Sequence, residues 1–491
     1  MLQTQRVAWN AVLMLAKQGV MAVLSVVFVG FLARSVGVAA WGELQASIAL
    51  CAMASIIAGL GVRGYVAREI AVRPELGPRH LGSALMIRGL MGAVILSIIA
   101  TATCSMHPSS EARWLVPIAA ASQLATLLYT TMWLSFEAHE QFKYILYVEL
   151  VARLFVLACA SICVAAGLGI LSAAIVFAVG NVIELVLTYY FLSSRLYAPR
   201  LSADFFELLS IAKRSLPIGF AGALFGAVRQ SDRVLLRWFG DETAVGIFSA
   251  GYVLVEQLEL VSDLLFGAAF AAGMRLYARD RESFHELYST AFVVAVALGL
   301  PMAAGVCLLA PDIIQLVYGG REFAGAVHAL RILAWHVPTM FAYHVAAMPL
   351  LAGKREAHLG AVLLPALVVI VGMDWILVPA YGAVGAATTA LVVATGVLIA
   401  LLAITPSCVR VVPVQRVRSA IISTVLMALV VHFVREPLGM WAAIVAGAST
   451  YAALLFALRV VTTDDVRGLV RPATAQFHRD EPCEETASKR A

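Results

Sequence analysis

The feature that most constrains this chain is a series of apolar runs, each of roughly 20 residues, that recurs along almost the whole sequence. A helix of that length crosses the hydrocarbon core of a bilayer. Because lipid offers the backbone no hydrogen-bond partners, such runs must be helical. Hydrophobic residues make up 62% of the chain and charged residues only 13%, unlike the composition of a soluble domain. We therefore predict an all-α polytopic membrane protein.

The runs predict about 14 transmembrane helices. We place them at 7–34, 44–67, 82–105, 113–136, 143–167, 170–193, 214–238, 246–272, 287–310, 324–351, 358–379, 382–405, 417–434 and 438–459. The remaining stretch, 462–491, is polar and is predicted to be a flexible tail.

Basic residues are concentrated in every second connection between these spans. They are Arg68, Arg73, Arg79, Lys143, Arg195, Arg200, Lys213, Arg214, Arg275, Arg279, Arg281, Lys354, Arg355, Arg410, Arg416 and Arg418. The positive-inside rule then predicts that these connections and both termini are cytoplasmic. The opposite connections, such as 241–243 and 380–382, are short and leave no outer domain for a catalytic site. We therefore expect that the protein is not an enzyme.

The sequence also contains a weak internal repeat. The matching stretches are 37–42 with 240–246, 65–69 with 276–280, and 169–174 with 382–387. Their order and nearly constant offset predict two parallel-related lobes of six helices around a central cavity, as in rocking transporters. The predicted division is 1–200 for the N-terminal lobe, 201–410 for the C-terminal lobe, 411–461 for two further helices and 462–491 for the cytoplasmic tail.

Several spans carry charged residues, and a charge at mid-membrane costs about 2.5–3.5 kcal/mol, so each needs a reason. Lys17 lies in the middle of the first span, and Arg63 and Arg88 lie in the inner parts of 44–67 and 82–105. None has an acidic residue one turn away within the membrane. Arg63 and Arg88 are long enough to snorkel to the cytoplasmic surface, whereas Lys17 is too central to do so easily.

Two consecutive spans each carry charges on one helical face. These are Arg229, Asp232 and Arg233 in 214–238, and Glu256, Glu259 and Asp263 in 246–272. One interpretation is that the two faces neutralise each other in interhelical ion pairs. The other is that the cations line a hydrated cavity and bind an anion, since guanidinium groups bind phosphate oxygens in bidentate fashion. The acids would then form a proton or sodium site.

Smaller polar sets complete the inventory. Asp374, near the outer end of 358–379, is expected near water and is a further candidate for a cation site. His328, His336 and His344 recur along 324–351 and suit either a proton relay or interhelical hydrogen bonds. The seven cysteines are scattered without zinc spacing, so we expect no metal site and no cofactor.

Four stretches of the chain resemble a known group of membrane transporters. They are 31–37 followed by Trp41-Gly42, 60–69, 310–323, and 374–387. The first is similar to the "ARxLG…yG" end of that group's first helix, and the last to its "NxxLIPxyGxxGAA" stretch, with Asp374 where Asn is usual. The chain thus resembles the Wzx-type flippases, the polysaccharide-transport branch of the multidrug/oligosaccharidyl-lipid/polysaccharide (MOP) exporter superfamily.

This resemblance implies a cargo of undecaprenyl-diphosphate-linked oligosaccharide, flipped across the bacterial inner membrane for O-antigen, capsule or exopolysaccharide synthesis. With this cargo, the candidate diphosphate-binding residues are Lys17, Arg63, Arg88, Arg229 and Arg233. The candidates for ion coupling are Asp232, Glu256, Glu259, Asp263 and Asp374. The expected partners are the lipid-linked cargo, membrane lipids, H⁺ or Na⁺, and a polysaccharide polymerase, with no nucleic acid.

Two alternatives remain open at this point. A cation-coupled multidrug exporter or a peptidoglycan-precursor exporter would share the fold, although several unpaired cations favour an anionic cargo over cationic drugs. An integral-membrane saccharide polymerase or glycosyltransferase belongs to another class, and would need a catalytic group on a substantial outer loop.

Overall fold

The computed structural model describes residues 2–59, 61–106, 112–139, 141–201, 204–353, 355–405, 414–458 and 460. Within these ranges, the side chains of 2–18 and of a few later residues, Asp263 among them, lie outside the description. The predicted tail at 462–491 also lies outside it.

The described chain consists of helices and contains no strand. The helices are α1 (Leu2–Val36), α2 (Val38–Gly59), α3 (Val62–Val72), a 3₁₀ turn (Pro74–Leu76), α4 (Gly77–Met106), α5 (Ala112–Ala138), α6 (Phe142–Ala165), α7 (Ile170–Arg195), α8 (Phe205–Phe239), α9 (Glu242–Arg279), α10 (Arg281–Tyr318), α11 (Ala326–Leu333), α12 (His336–Ala352), α13 (Glu356–Tyr381), α14 (Ala383–Ile404) and α15 (Val414–Ala457). The all-α prediction is confirmed.

Among the described residues, 11 helices are long and apolar enough to cross a membrane. The other predicted spans fall in α8, which carries intramembrane charges, in α11 with α12, and in the second part of α15. That last helix is broken at Gly439, whose φ of 78° separates 414–438 from 440–457. A multi-pass membrane protein is therefore confirmed, and the count of 14 stays a prediction.

Two predicted spans are broken in the structure. The span 44–67 divides into α2 and α3 at Gly61, whose φ of 70° is left-handed and ends a regular helix. The span 324–351 divides into α11 and α12 at a turn over 334–335. Pro338 lies in the first turn of α12, where a missing N–H costs nothing. Apolar periodicity alone did not reveal either break.

The helices pack into two lobes around a central interface. In the N-terminal lobe (α1–α7), α5 packs on α4, α7 and α2. In the C-terminal lobe (α8–α14), α13 packs on α8 and α14, and α12 packs on α9 and α10. The lobes meet chiefly where α2 crosses α8 and α9, while α15 lies against α10. The exact lobe boundaries at 200 and 410 remain predictions.

The first pair of repeated stretches forms a contact between the lobes at the face predicted to be extracytoplasmic. A Cβ atom on Gly42 of α2 would lie 1.9 Å from the carbonyl oxygen of Glu242, and one on Gly246 of α9 would lie 2.1 Å from that of Val38. The two contacts are therefore symmetric. The partner of Gly42 lies four residues before Gly246, and the partner of Gly246 lies four residues before Gly42. Only glycine allows the N-terminal ends of α2 and α9 to approach this closely, which explains why both repeats contain it.

Ion pairs and hydrogen bonds join the lobes near both ends of α8. At the predicted outer end, Arg237 contacts Glu43 of α2 across the interface at 2.9 Å, and it also contacts Glu242 of α9 within its own lobe at 2.9 Å. At the predicted inner end, Glu207 forms a bidentate pair with Arg79 of α4, the shorter contact being 2.8 Å. Close packing at the outer end and an exposed pair at the inner end enclose the middle of the interface.

Candidate functional site

A cavity of about 530 Å³ lies in this interface, between α2–α5 of the N-terminal lobe and α8 of the C-terminal lobe. Its volume falls in the range of small-molecule sites. It is lined by Ala52, Ser55, Ile56, Gly59, Gly61, Arg63, Gly64, Arg88, Gln123, Thr126, Leu127, Thr130, Gly219, Gly222 and Ala223. Arg63 and Arg88 are the charged residues in this lining, and no carboxylate is part of it among the residues that the structure describes.

Glycines shape the wall that α2, α3 and α8 contribute. A Cβ atom on Gly61 would lie 2.3 Å from the Cα of Gly219, so α8 passes directly against the break between α2 and α3. At Gly222, by contrast, an added Cβ would meet nothing within 4 Å. The first contact requires glycine for packing, whereas Gly222 leaves open space at the cavity wall.

Arg88 is the most unusual side chain of the cavity. It is only 8% exposed, donates a hydrogen bond to the hydroxyl of Thr131 on α5, and leaves its Nε–H without a partner among the residues that the structure describes. Among the described ion pairs of this protein, none joins Arg88 to a carboxylate. A buried charge is costly unless it is paired. The site therefore holds a guanidinium group with capacity for an anion.

Arg63 lies on the same cavity and is more accessible. Its guanidinium contacts Glu137 of α5 at 2.8 Å, with the two side chains 44% and 37% exposed. The sequence showed no acidic residue one turn away from Arg63 on its own helix. This did not exclude an ion pair, because the partner comes from another helix. Exposed ion pairs are worth only about 0–1 kcal/mol, so a phosphate group can replace this carboxylate at little cost.

A second set of charges lies inside the C-terminal lobe and is paired. Arg229 of α8 contacts Glu259 of α9 at 3.1 Å and Glu256 at 3.8 Å, and Arg233 contacts Glu256 at 3.1 Å. The interhelical pairing that the sequence offered as one interpretation is present. Neither arginine lines the large cavity, so the structure does not bring them together with Arg63 and Arg88.

Two histidines extend this network. The Nδ1 of His336 lies 2.7 Å from the Oε1 of Glu259, and the Nδ1 of His344 lies 3.0 Å from the hydroxyl of Ser262. His328 is exposed on α11, beyond the break that precedes α12. His336 and His344 therefore make interhelical hydrogen bonds, and the three histidines do not form one continuous helical row.

Asp232 of α8 and Asp374 of α13 are buried neighbours whose charges repel each other. Within the described part of the chain, the Oδ1 of Asp232 and both carboxylate oxygens of Asp374 have no hydrogen-bond partner. The expectation that Asp374 lies near water was wrong, since its exposure is 0%. The reason is that α13 packs on α8 and α14 and carries Asp374 on its buried face, whereas the adjacent Trp375 and Ile376 are exposed. Close by, a small cavity of about 30 Å³ touches Arg229, Asp232 and His336, and is large enough for a water molecule.

Two predicted site residues lie outside the described side chains, namely Lys17 and Asp263. The polar lining residues were missed from the sequence, namely Ser55 of α2 and three residues of α5, Gln123, Thr126 and Thr130. The last three form a pattern. Their spacing of i, i+3 and i+7 within an apolar span puts them on one helical face. That polar stripe was the signal that would have found them.

Comparisons with known proteins identify a family and a fold for this chain. Residues 7–271 match the model of a family described as "Polysaccharide biosynthesis protein". No curated protein matches the chain.

Several solved structures share the fold. The chain is similar to the lipid II flippase MurJ in an inward closed conformation, with a TM-score of 0.67, 14% identity, and 88% of this chain and 97% of that chain covered. An inward-facing multidrug resistance MATE family transporter of the MOP superfamily has a TM-score of 0.63 and 15% identity, with 80% of this chain and 96% of that chain covered. The chain is also similar to a MOP superfamily transporter from Pyrococcus furiosus that is described as having a binding pocket of reverse polarity. The TM-score is 0.59 and the identity 17%, with 82% of this chain and 93% of that chain covered.

Proposed function

This chain belongs to the polysaccharide biosynthesis protein family and has the fold of the MOP superfamily transporters, and on that premise we propose that it flips an undecaprenyl-diphosphate-linked oligosaccharide repeat unit across the bacterial inner membrane. The product would serve surface polysaccharide synthesis, as O-antigen, capsule or exopolysaccharide. The family and the structural neighbours are transporters rather than enzymes.

The observation that carries the proposal is the guanidinium of Arg88, which is buried in a cavity between the lobes and forms no ion pair with a carboxylate of the described residues. Arg63 adds a second cation to the same wall, and the described lining contributes no carboxylate. Arginine presents its N–H donors in a planar fork that matches phosphate oxygens. In our proposal the diphosphate binds Arg63 and Arg88, the saccharide occupies the cavity, and the lipid tail stays in the bilayer. Lys17 remains a candidate for the same diphosphate.

The two ends of the interface support alternating access as the mechanism. The predicted outer end is closed by glycine-mediated backbone contact and by the ion pair of Arg237 with Glu43. The predicted inner end is joined by the exposed pair of Arg79 and Glu207. We propose that the inner contact opens first to admit cargo and that the outer contact opens to release it. Arg229 and Arg233 would reach the cargo only in a conformation that breaks their ion pairs.

We further propose that cation uptake in the C-terminal lobe is coupled to flipping. Four carboxylates of the network, on Asp232, Glu256, Glu259 and Asp374, face two guanidinium groups, on Arg229 and Arg233. Four minus two leaves two negative charges. Among the described residues, Asp232 and Asp374 have carboxylate oxygens with neither a hydrogen bond nor an ion pair, whereas the Oε2 of Glu259 is ion-paired with Arg229. Protons or a sodium ion bound there would neutralise the pair. Asp263 lies on the same helix as Glu256 and Glu259 and is a further candidate.

Deletion of the gene in its source organism tests the proposed function. We expect complete lipid-linked repeat units to accumulate on the cytoplasmic leaflet and surface polymer to be lost. Unchanged surface polymer without a trapped intermediate in a strain lacking related transporters would reject the proposal, and single repeats stranded on the outer leaflet would indicate a polymerase instead. Restoring the gene in strains with and without a polysaccharide polymerase tests for that partner. Flipping that returns only in the strain with the polymerase would identify it.

Complementation of the deletion then tests the cavity itself. Gly222→Leu places a side chain into open space at the cavity wall, so it should block flipping without disturbing a packed contact. Gly396→Leu is the matched control, because Gly396 of α14 also has nothing within 4 Å of its Cβ position and does not line the cavity. Equal complementation by both variants would place the cargo elsewhere.

The peptidoglycan precursor is a second candidate cargo, because it also carries a diphosphate that the two arginines would bind. Purified protein in vesicles distinguishes the two, if offered both lipids. A cationic drug is disfavoured by the sign of the cavity charge, so we expect no drug resistance from overexpression.

A further inference from the structure

The wall of the cavity that α5 contributes is uncharged and, apart from Leu127, polar. Gln123, Thr126 and Thr130 line the cavity from one face of this helix. Arg88 is held against the same helix, because it donates a hydrogen bond to Thr131. From Thr130 to Gln123 the helix rises about 10 Å. The polar face therefore begins beside the guanidinium group and continues away from it.

The hydroxyl groups of this wall are oriented as acceptors. Thr126 donates its hydrogen to the carbonyl oxygen of Ser122 at 3.0 Å, and Thr130 donates to that of Thr126 at 2.7 Å. Ser55, across the cavity on α2, donates to the carbonyl oxygen of Cys51 at 2.8 Å. A hydroxyl has one hydrogen and two lone pairs, so these groups present lone pairs to a ligand. The amide of Gln123 offers a further acceptor together with donors.

Such a wall suits a ligand group that donates hydrogen bonds. Sugar hydroxyls donate, whereas phosphate oxygens and carboxylates only accept. A bare diphosphate therefore gains nothing from Thr126 and Thr130, and an acidic sugar places its carboxylate against their lone pairs. A neutral sugar attached to a diphosphate at Arg88 meets both requirements.

We propose that the α5 face formed by Gln123, Thr126 and Thr130 binds the neutral sugar joined directly to the diphosphate, and so selects cargo by its first sugar. This inference rests on the proposed function, since it takes the diphosphate to be bound by Arg88. It assigns recognition of the saccharide to the N-terminal lobe, on α5, next to the helix α4 that carries Arg88.

Binding of two probes to the purified full-length protein tests the inference. The probes are undecaprenyl diphosphate and the same lipid carrying one N-acetylhexosamine. We expect wild type to prefer the sugar-bearing lipid. Thr126→Val with Thr130→Val keeps the side-chain shape and removes both hydroxyls, so the preference should fall about tenfold, at a few-fold for each hydrogen bond lost. Affinity for the bare lipid should not change.

The chain offers a matched control in Thr395→Val. Thr395 of α14 donates to its own helix in the same way, at 2.8 Å from the carbonyl oxygen of Leu391, and lies outside the cavity lining. It should preserve the preference. Thermal unfolding of each variant identifies any loss of folding. If the double variant is unstable, Gln123→Leu made alone should still reduce the preference for the sugar-bearing lipid. A third probe with a uronic acid as first sugar should bind more weakly than the neutral one.

The failures of the two proposals are distinguishable. Wild type could bind the bare and the sugar-bearing lipid equally, and Arg88→Gln could lose both. This result would reject sugar recognition by the α5 face and would support the diphosphate site. Absence of binding of either lipid to wild type would overturn the proposed function itself. Retention of full sugar preference in the folded double variant and in Gln123→Leu would also reject the assignment.

Discussion

The two groups of intramembrane arginines differ in what neutralises them. In the C-terminal lobe, Arg229 and Arg233 each lie within 3.1 Å of a glutamate on the neighbouring helix. In the cavity between the lobes, Arg88 is buried with no such partner among the described residues, and Arg63 has a partner that is partly exposed to solvent. Removing one partner of a buried ion pair is costly, whereas a buried charge without a counter-ion carries a cost that an anionic ligand can offset. The same residue type is thus structural in one region and suited to binding in the other.

Removal of one partner from the paired region should have the largest effect on stability. Arg229→Gln removes the guanidinium partner of buried Glu259 and leaves it the hydrogen bond with His336. The loss should therefore lie below the about 3–5 kcal/mol that breaking a fully buried pair costs. We expect a marked drop in the unfolding temperature in detergent. The double variant with Glu259→Gln should recover part of the loss, as a double-mutant cycle would show. Additive losses would mean that the two side chains do not interact.

The same substitution in the cavity should act in the opposite sense. Arg88→Gln removes an unpaired buried charge, so the unfolding temperature should hold or rise. Flipping should fall about a hundredfold, because two charge-assisted hydrogen bonds to phosphate are lost at roughly 1.5 kcal/mol each. The measurement is transport in vesicles beside thermal unfolding. A variant that unfolds early yet transports normally would make Arg88 a structural residue and end the comparison.

Part of this contrast was available from the sequence. The faces that carry Arg229, Arg233, Glu256 and Glu259 follow from helical spacing, and the structure pairs them. The glycine repeat at 37–42 and 240–246 indicated two related lobes, and its glycines meet at the interface. The polar stripe on α5 was equally visible, because its members are three and four residues apart in one helix.

What the sequence did not reveal depends on contacts between distant segments. Glu137 lies 74 residues from Arg63 and pairs with it only because α5 packs beside α3. The burial of Asp374 depends on which face of α13 turns towards α8, and the helix is apolar on all sides, so periodicity does not define that face. Depth along a span likewise does not separate a residue near water from one covered by neighbouring helices.

A smaller loss should follow from the exposed cavity cation. Arg63→Gln removes one of the two positive charges from the lining, and flipping should fall about tenfold, the equivalent of one charge-assisted hydrogen bond. Stability should change little, since its pair with Glu137 is exposed. Glu137→Gln is the matched control: it breaks the same pair but leaves the cation, so flipping should be retained. Equal loss in both variants would assign the effect to the pair and not to phosphate binding.

The smallest effect should come from the exposed pair at the predicted inner end of the interface. Arg79 and Glu207 are 59% and 15% exposed, and their bidentate contact joins α4 of one lobe to α8 of the other. Water and salt screen such a pair, so Glu207→Gln should leave the unfolding temperature nearly unchanged, and high salt should erase the remaining difference. A contact that opens in each transport cycle should be weak for this reason, and the variant should flip cargo at least as fast as wild type. If Glu207→Gln instead unfolds as readily as Arg229→Gln, the pair is a structural joint, and the opening must occur elsewhere along α8.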